Sequence, residues 1–447
     1  MSDWKKVKIG DVCKIIKGAT GIASAEPGEY PLVVTAEERK TCSTYQFDCE
    51  AVCIPLVSSS GHGKKSLKNV HYQSGKFALG TILCAVIPND SNELDARFLR
   101  QYLQFYKDTI LVPLMKGAAN VSLSMKDIAT VEFPLPPIEK QRELSELFVS
   151  LQEKERILQV EYTKQFEYTK QLRQNILQDA IEGKLTEEWR KSNPVVKGNP
   201  DFDAEALFEK IQEEKCHTDS ELPLETSLQI RNSKKKKVFE PISENEQPFE
   251  ISEGWKWVRL GEVSESCLGK MLDSTKNQGT KRKYLRNINV RWFSFDLSDL
   301  LEMKIKDIEL ARCSAQKGDL LICEGGYPGR SAIWNENYEI CFQKAIHRVR
   351  FFYMSEMSRI FNLYLFLLSE NKQIEMYLTG EAIRHLTGVK LKQIPIPLPP
   401  LAEQKEIVRV VESQLAKVDQ LEKQIAERET MTKQMLQSIM KDAFKEE

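Results

Sequence analysis

The chain has 447 residues, with 64 Lys+Arg against 65 Asp+Glu, 41% hydrophobic and 29% charged residues. That length is too great for one ordinary core and calls for two globular domains with further material, in a composition typical of a folded, water-soluble protein rich in surface helix. The longest apolar stretch, 360–368, is too short to cross a bilayer, no signal pattern opens the chain, and ten scattered cysteines without a CxxC pair read as reduced thiols of a cytoplasm, so a membrane protein and a secreted disulfide scaffold are both excluded.

In chain order, 1–136 carries short apolar runs separated by Gly, Pro and Asn. Of these, 78–87 reads as a strand, and 95–106 reads as a helix whose Phe98, Tyr102 and Phe105 at helical spacing belong to a core. Pro134-Leu135-Pro136-Pro137 then suits a helix start, because proline lacks the N–H that would be unpaired there anyway. Glu139 and Glu143 follow in the first turns, where the helix dipole favours acids. No Pro or Gly interrupts 138–182. Leu144, Leu151, Leu158 and Leu172 recur on one heptad position, with Phe148, Tyr162 and Ile176 on the interleaved one, a narrow seam that predicts coiled-coil pairing. The segment 186–250 reads as a linker with one short helix, 203–215, and a lysine run, 234–237, that is solvated chain or a DNA contact. From 251 the pattern restarts, with a strand at 319–323 and a helix at 358–368. A second long helix spans 399–447, with Ile407, Leu421 and Met435 on one seam position and Val411, Val418, Ile425 and Ile439 on the other. Each long helix of about 45 residues would reach roughly 68 Å at 1.5 Å per residue.

The restart is a tandem duplication. Trp4-Lys5-Lys6-Val7-Lys8-Ile9-Gly10-Asp11-Val12 returns as Trp255-Lys256-Trp257-Val258-Arg259-Leu260-Gly261-Glu262-Val263. Pro134-Leu135-Pro136-Pro137-Ile138-Glu139-Lys140-Gln141 returns as Pro397-Leu398-Pro399-Pro400-Leu401-Ala402-Glu403-Gln404. Gln174-Asn175-Ile176-Leu177-Gln178-Asp179-Ala180 returns as Gln437-Ser438-Ile439-Met440-Lys441-Asp442-Ala443. The first offset is 251 and the other two are 263, so the second copy is longer between its tryptophan and its proline pair. The expected fold is α+β: two mixed domains, 1–136 and 251–398, and two long spacer helices, 137–185 and 399–447, forming an antiparallel coiled coil in a pseudo-two-fold internal repeat.

Charge is unevenly spread. Residues 1–136 hold 16 Lys+Arg against 14 Asp+Glu, residues 251–398 hold 22 against 17, and the remainder holds 26 against 34. Mildly basic modules suit phosphates, and acidic helices suit proteins. Candidate DNA contacts fall in three groups. Lys64, Lys65 and Lys68 follow the turn Gly61-His62-Gly63, and a similar turn, Gly325-Gly326-Tyr327-Pro328-Gly329-Arg330, brings Tyr327 and Arg330. The densest basic segment, 270–291, contains Lys281, Arg282, Lys283, Arg286 and Arg291 and reads equally as a charged loop. Before each long helix, Lys116, Asn120, Ser122 and Ser124 answer to Arg384, His385 and Thr387, side chains of the kinds that bond phosphates or base edges. Turn chemistry accounts for the Gly and Ser there equally well. Asn120 and Arg384 are expected at corresponding places, giving the modules different base preferences.

No catalytic site survives inspection. An adenine methyltransferase needs an Asn/Asp-Pro-Pro-aromatic tetrapeptide and a glycine-rich cofactor turn, and neither is present; Asn199-Pro200-Asp201-Phe202 lacks the second proline. Gly63-Lys64-Lys65 is not a phosphate loop. The acids of 201–213 flank an amphipathic helix, and Cys216-His217 are adjacent, poor geometry for a nucleophile and its base. Cys42, Cys49, Cys53 and His62 match no closed zinc spacing, so no metal site is expected.

With these pieces assembled, the chain resembles the specificity subunit of type I restriction–modification systems. The resemblance rests on Glu253-Gly254-Trp255 through Val263, on both Pro-Leu-Pro-Pro-x-x-x-Gln strings, and on Gln178-Asp179-Ala180-Ile181-Glu182-Gly183-Lys184-Leu185-Thr186. It covers essentially the whole chain; the first copy departs from it in lacking the Glu-Gly before its tryptophan and in carrying Lys140-Gln141 for Glu-Gln. It implies two target-recognition domains, each reading half of a bipartite double-stranded DNA target, and spacer helices that set the gap. It also implies that S-adenosylmethionine, ATP and Mg act only on partners: two modification subunits that methylate adenine, and restriction subunits that translocate and cleave. The competing classes are a self-contained DNA-modifying enzyme and a coiled-coil scaffold without a DNA role.

Overall fold

The computed structural model describes residues 4–60, 63–220, 239–273, 275, 277–353 and 356–444. The lysine run 234–237, Gly61 and His62 lie outside the described residues.

The first two sequence echoes are bonding partners. Strand β1 (Lys5–Lys8) pairs antiparallel with β10 (Glu132–Leu135), Val7 opposite Phe133, and β11 (Lys256–Arg259) pairs with β22 (Pro395–Leu398), Trp257 opposite Pro397. Prolines are tolerated here because a two-stranded ribbon leaves each strand a free edge for the missing N–H. A single helical turn follows each opening strand, Ile9–Val12 and Leu260–Val263.

Each mixed part then builds two four-stranded sheets of the same order. In the first, β2 (Cys13–Lys17), β9 (Leu83–Pro88), β6 (Ala51–Pro55) and β7 (His71–Gln73) form one sheet. The other holds β4 (Lys40–Cys42), β3 (Tyr30–Val33), β8 (Lys76–Leu79) and β5 (Phe47–Asp48). In the second, β12 (Ser264–Leu268), β21 (Ile346–Phe351), β18 (Leu320–Cys323) and β19 (Ser331–Ile333) repeat the first order. There β16 (Leu301–Ile305), β13 (Thr280–Leu285), β20 (Ile340–Phe342) and β17 (Ser314–Ala315) repeat the other. The run 78–87 is therefore two strands in different sheets. It breaks at Gly80, where an added Cβ would stand 3.0 Å from Ile22. Every residue of β6 and of β18 is buried, so both read as continuous apolar runs without alternation. The extra length of the second copy lies chiefly between β13 and β16, where β14 (Val290–Arg291) and β15 (Ser294–Phe295) form a hairpin the first copy lacks.

Helix α1 (Ala96–Ile110) starts at Asp95, whose carboxylate accepts from the N–H groups of Arg97 at 2.7 Å and Phe98 at 2.9 Å. A short α2 (Met125–Ala129) leads into β10. The long helix α3 (Ile138–Ile181) begins at the residue after the proline pair, and its motif glutamine pins the entry. Gln141 is fully buried; its amide donates to the carbonyls of Pro136 (2.7 Å) and Glu93 (2.9 Å), and its Oε1 accepts from Asp95 N–H (2.8 Å). After it come α4 (Glu187–Ser192) and α5 (Ala204–Ser220). The second copy supplies α6 (Glu356–Glu370), α7 (Gly388–Gln393) and the second long helix, α8 (Leu401–Ala443), where buried Gln404 donates to Pro399 O at 2.8 Å.

The chain divides into two compact units, 1–164 with 425–447, and 165–424, so each long helix contributes to both. Within the first unit the helix segments run antiparallel: Phe148 stacks on Phe444 at 4.5 Å, and Tyr162 hydroxyl meets Thr432 Oγ1 at 2.8 Å. Phe444 lies among Phe98, Tyr102, Phe105 and Tyr106, so the aromatic spacing of α1 is core. Within the second unit Arg173 bridges Asp419 at 2.7 Å and Glu422 at 3.2 Å. There Leu177, Ala180 and Ile181 join one core with Trp255, Val258 and Leu398. Ala204, Leu207 and Ile211 of α5 enter the same core, so this part of 186–250 is packed structure. Glu403, 1% exposed, accepts from Trp255 Nε1 (2.7 Å) and Thr186 Oγ1 (2.6 Å) and pairs with Arg190. Lys140, its counterpart, instead pairs with Glu143 at 3.0 Å.

The helix seam is only partly as expected. Leu144, Phe148, Leu151, Tyr162, Ile176, Ile407, Val411, Val418 and Ile425 are buried, whereas Leu158, Leu172, Leu421, Met435 and Ile439 stand exposed. Leu177, Ile181, Val408, Leu436 and Phe444 are buried in their stead. A strict heptad drifts around a straight helix of 3.6 residues per turn, and helix ends that dock on globular cores answer to those cores.

Candidate nucleic-acid interface

In both units the loop before the long helix meets an earlier glycine-bearing segment, at Ser58 and Gly63 in the first and at Glu324 and Gly325 in the second. In the first, Ser58 N–H donates to Val121 O (3.0 Å) and Leu123 N–H to Leu56 O (2.9 Å), while a Cβ on Gly63 would stand 2.5 Å from Ala118 O. In the second, Leu386 N–H donates to Glu324 O (2.7 Å), and a Cβ on Gly325 would stand 2.8 Å from His385 Nδ1. Buried His347 accompanies this junction, its Nε2 meeting Leu386 O at 2.9 Å. Burial lowers its pKa.

The pre-helix loops share one closure. Lys116 and Ser122 exchange two backbone hydrogen bonds of 2.8 Å, and Thr379 and His385 exchange bonds of 2.9 and 2.8 Å. Gly117 at φ +123° and Gly380 at φ +96° permit the turn, since a Cβ there would meet the carbonyl oxygens of Asn120 and Ile383 at 2.2 and 2.3 Å. This register corrects the expected equivalence: Asn120 answers to Ile383, and Arg384 answers to Val121. Asn120 and Ile383 are exposed loop tips; Val121 is buried, and exposed Arg384 pairs with Glu375 at 2.9 Å. Ser124 and Thr387 are N-caps, accepting from Asp127 N–H (3.0 Å) and Lys390 N–H (3.5 Å), which gives both a structural task. Ser122 is exposed, His385 half-buried.

The basic segment of the second unit is largely neutralised by acids that follow it in the chain. Arg282 pairs with Asp307 at 2.8 Å, Arg286 with Asp299 at 2.6 Å, and Arg291 with Asp296 at 3.6 Å. Lys281 and Lys283, exposed on β13, form no ion pair among the described residues. Arg330 lies over the ring of exposed Tyr327 at 4.3 Å and donates to Asn287 O at 2.8 Å. In the first unit Lys64, Lys65 and Lys68 are exposed, and Lys116 pairs with Asp127 at 3.0 Å. Among the described residues no group of three or more His, Cys, Asp or Glu is placed to hold a metal ion, and no helix is long and apolar enough to cross a membrane.

Residues 1–164 and 252–428 match the family described as the type I restriction modification DNA specificity domain. The chain belongs to that family. It is a DNA specificity subunit, the non-catalytic component of a type I restriction–modification system. Among its relatives, the EcoDI specificity subunit of Escherichia coli is 24% identical over 468 residues, spanning 100% of this chain and 88% of the relative. The EcoKI specificity subunit of E. coli K12 is 24% identical across 75% of this chain and 61% of the relative. The fold is shared with a chain from a type I R-M system solved for complex assembly and conformational transition, at TM-score 0.61 and 17% identity, covering 100% and 98% of the two chains. The HsdS subunit from Thermoanaerobacter tengcongensis gives 0.55 and 17%, covering 99% and 97%. Two tandem mixed domains and two long helices are thus the family's architecture.

Proposed function

We propose that the two units read the two halves of a bipartite DNA target, each through its pre-helix loop and the segment that loop meets, around Gly63 in the first and Gly325 in the second. The observation that carries this reading is the same two-loop junction, built in both units around different exposed tips: Ala118-Ala119-Asn120 in the first, Glu381-Ala382-Ile383-Arg384 in the second. Lys64, Lys65, Lys68, Lys281 and Lys283 serve as phosphate contacts, which position the duplex, while the tips contribute to base readout. The long helices act as spacer and as the docking surface for two modification subunits, with restriction subunits joining them in the cytoplasm. S-adenosylmethionine, ATP and Mg serve those partners, and this chain needs none of them. Exchanging the loop 116–122 for that of a relative, in the chain assembled with its modification partner, should alter one half of the methylated sequence and leave the other. Loss of neither half, or of both with the complex intact, contradicts separate readers.

A further inference from the structure

The two copies differ most at the edge strand of their first sheets. In the second unit the β14–β15 hairpin covers that edge: Phe293 N–H donates to Ser331 O at 3.1 Å, and Trp292 and Phe293 both pack on Phe366 of α6 at 5.2 Å. Beneath it Ser331 Oγ meets Asn362 Oδ1 at 2.8 Å, a neutral buried pair. Among the described residues the first unit has no counterpart of this hairpin, and its β3–β4 connection ends at Arg39, reaching over β7. That guanidinium donates to Gln73 Oε1 (3.1 Å), His71 Nδ1 (3.2 Å) and the carbonyls of Glu37 (2.9 Å) and Tyr72 (3.3 Å). From α1, Arg100 donates to Val70 O (3.0 Å) and Gln101 Oε1 (2.8 Å), and Arg97 lies over the Tyr72 ring at 5.3 Å. The three arginines and His71 line an open cleft of about 390 Å³.

Every one of those partners is neutral. None of the three guanidinium groups has a carboxylate within ion-pair distance among the described residues, and Glu37, the acid lining the cleft, gives Arg39 its carbonyl. Burial and then repulsion from Arg39 lower the pKa of Arg100; burial also lowers Arg39. Burial, Arg39 and Arg100 together bring the His71 imidazole down to about 4. Uncompensated cations in a partly buried place cost stability, and groups perturbed in this way cluster at functional sites. Planar donor forks converging on one cleft match a tetrahedral oxyanion. The segment bearing Lys64, Lys65 and Lys68 leads along the chain to Val70, whose carbonyl accepts from Arg100.

We propose that Arg39, Arg97 and Arg100 seat one phosphate group of the DNA backbone in this cleft, a contact the second unit lacks because Ile360 and Leu363 stand where the shared register places the counterparts of Arg97 and Arg100. This rests on the DNA-reading function above. The test uses the full chain assembled with its modification partner, on target and scrambled duplexes. In Arg100→Gln, affinity should fall roughly tenfold, and the slope of log affinity against log salt should flatten by about 0.9. The ratio of target to scrambled binding should stay unchanged. Thermal unfolding of the full chain supplies the second arm. Wild type should be stabilised by inorganic phosphate beyond chloride of equal ionic strength, and Arg100→Gln should lose that response while melting no lower than wild type. If Arg100→Gln melts lower, Arg97→Ala, at an exposed position, decides by the same slope. A slope and affinity unchanged in a folded variant overturn the proposal. So does a phosphate response with no DNA effect, which would make the site one for free phosphate, and so does a loss of partner assembly in place of DNA affinity, which would make it a seat for a protein carboxylate. Failure of wild type to prefer its target would instead defeat the DNA-reading function, and the phosphate arm would still judge the cleft.

Discussion

At the scale of single residues, the motif glutamine shows how a repeated string encodes geometry. Gln141 ties the start of α3 to the proline turn and to the cap of α1 through three hydrogen bonds, all buried. Gln141→Ala should therefore cost about 2–4 kcal/mol, because it leaves buried backbone groups unpaired; denaturant unfolding of the first unit's transition measures it. His71 gives a pH dependence of known sign. Its folded pKa of about 4 lies below the ordinary 6.5, so the unfolded chain takes up the proton first and stability falls as pH drops from 6.5 toward 4. By pH 5 the loss should be about 2 kcal/mol, and His71→Gln should flatten that limb; an unchanged acid limb would show that other groups set it. Some residue-scale pairings were beyond reach of a linear reading. Asp307 neutralises Arg282 from across the β13–β16 pairing, while Asp296 and Asp299 reach Arg291 and Arg286 from the connection between those strands. Asn120 and Arg384 look equivalent by polarity, yet the offset of 263 already sets Asn120 against Ile383, and the backbone bonds closing both loops keep that register.

At the scale of elements, the third sequence echo marks helix ends that serve as core. Phe444 packs among five aromatic rings of the first unit, and Leu177, Ala180 and Ile181 do the equivalent in the second. Phe444→Ala should cost about 3–5 kcal/mol, read as an earlier transition in thermal unfolding; a full-stability variant would mean that this helix end is dispensable. The heptads made the long helices legible, since 138–182 contains neither Pro nor Gly. They could not show which seam residues are buried, because docking on globular cores displaced Met435 and Ile439 in favour of Leu436 and Phe444. If the helices set the gap, four residues inserted beside 178–184 add about 6 Å at 1.5 Å per residue, nearly two base pairs at 3.4 Å each. The methylated target should then gain one or two unspecified base pairs with both halves unchanged; activity with an unchanged gap would reduce the helices to connectors.

At the scale of the whole molecule, the duplication was legible because its echoes occupy the places that both copies must build alike: the ribbon of β1 with β10 and β11 with β22, the helix entry, and the helix ends. What differs between copies, the β14–β15 hairpin and the cleft of Arg39 and Arg100, lies between the echoes and had no repeat to reveal it. Constant supports around variable surfaces are what a reader of arbitrary sequences requires. The central claim, that this chain selects the DNA sequence on which its partners act, is tested most directly by mapping adenine methylation across the genome of cells with and without it. A two-part methylated sequence should be present with the chain and vanish without it. Methylation at the same sequence in its absence would contradict the account.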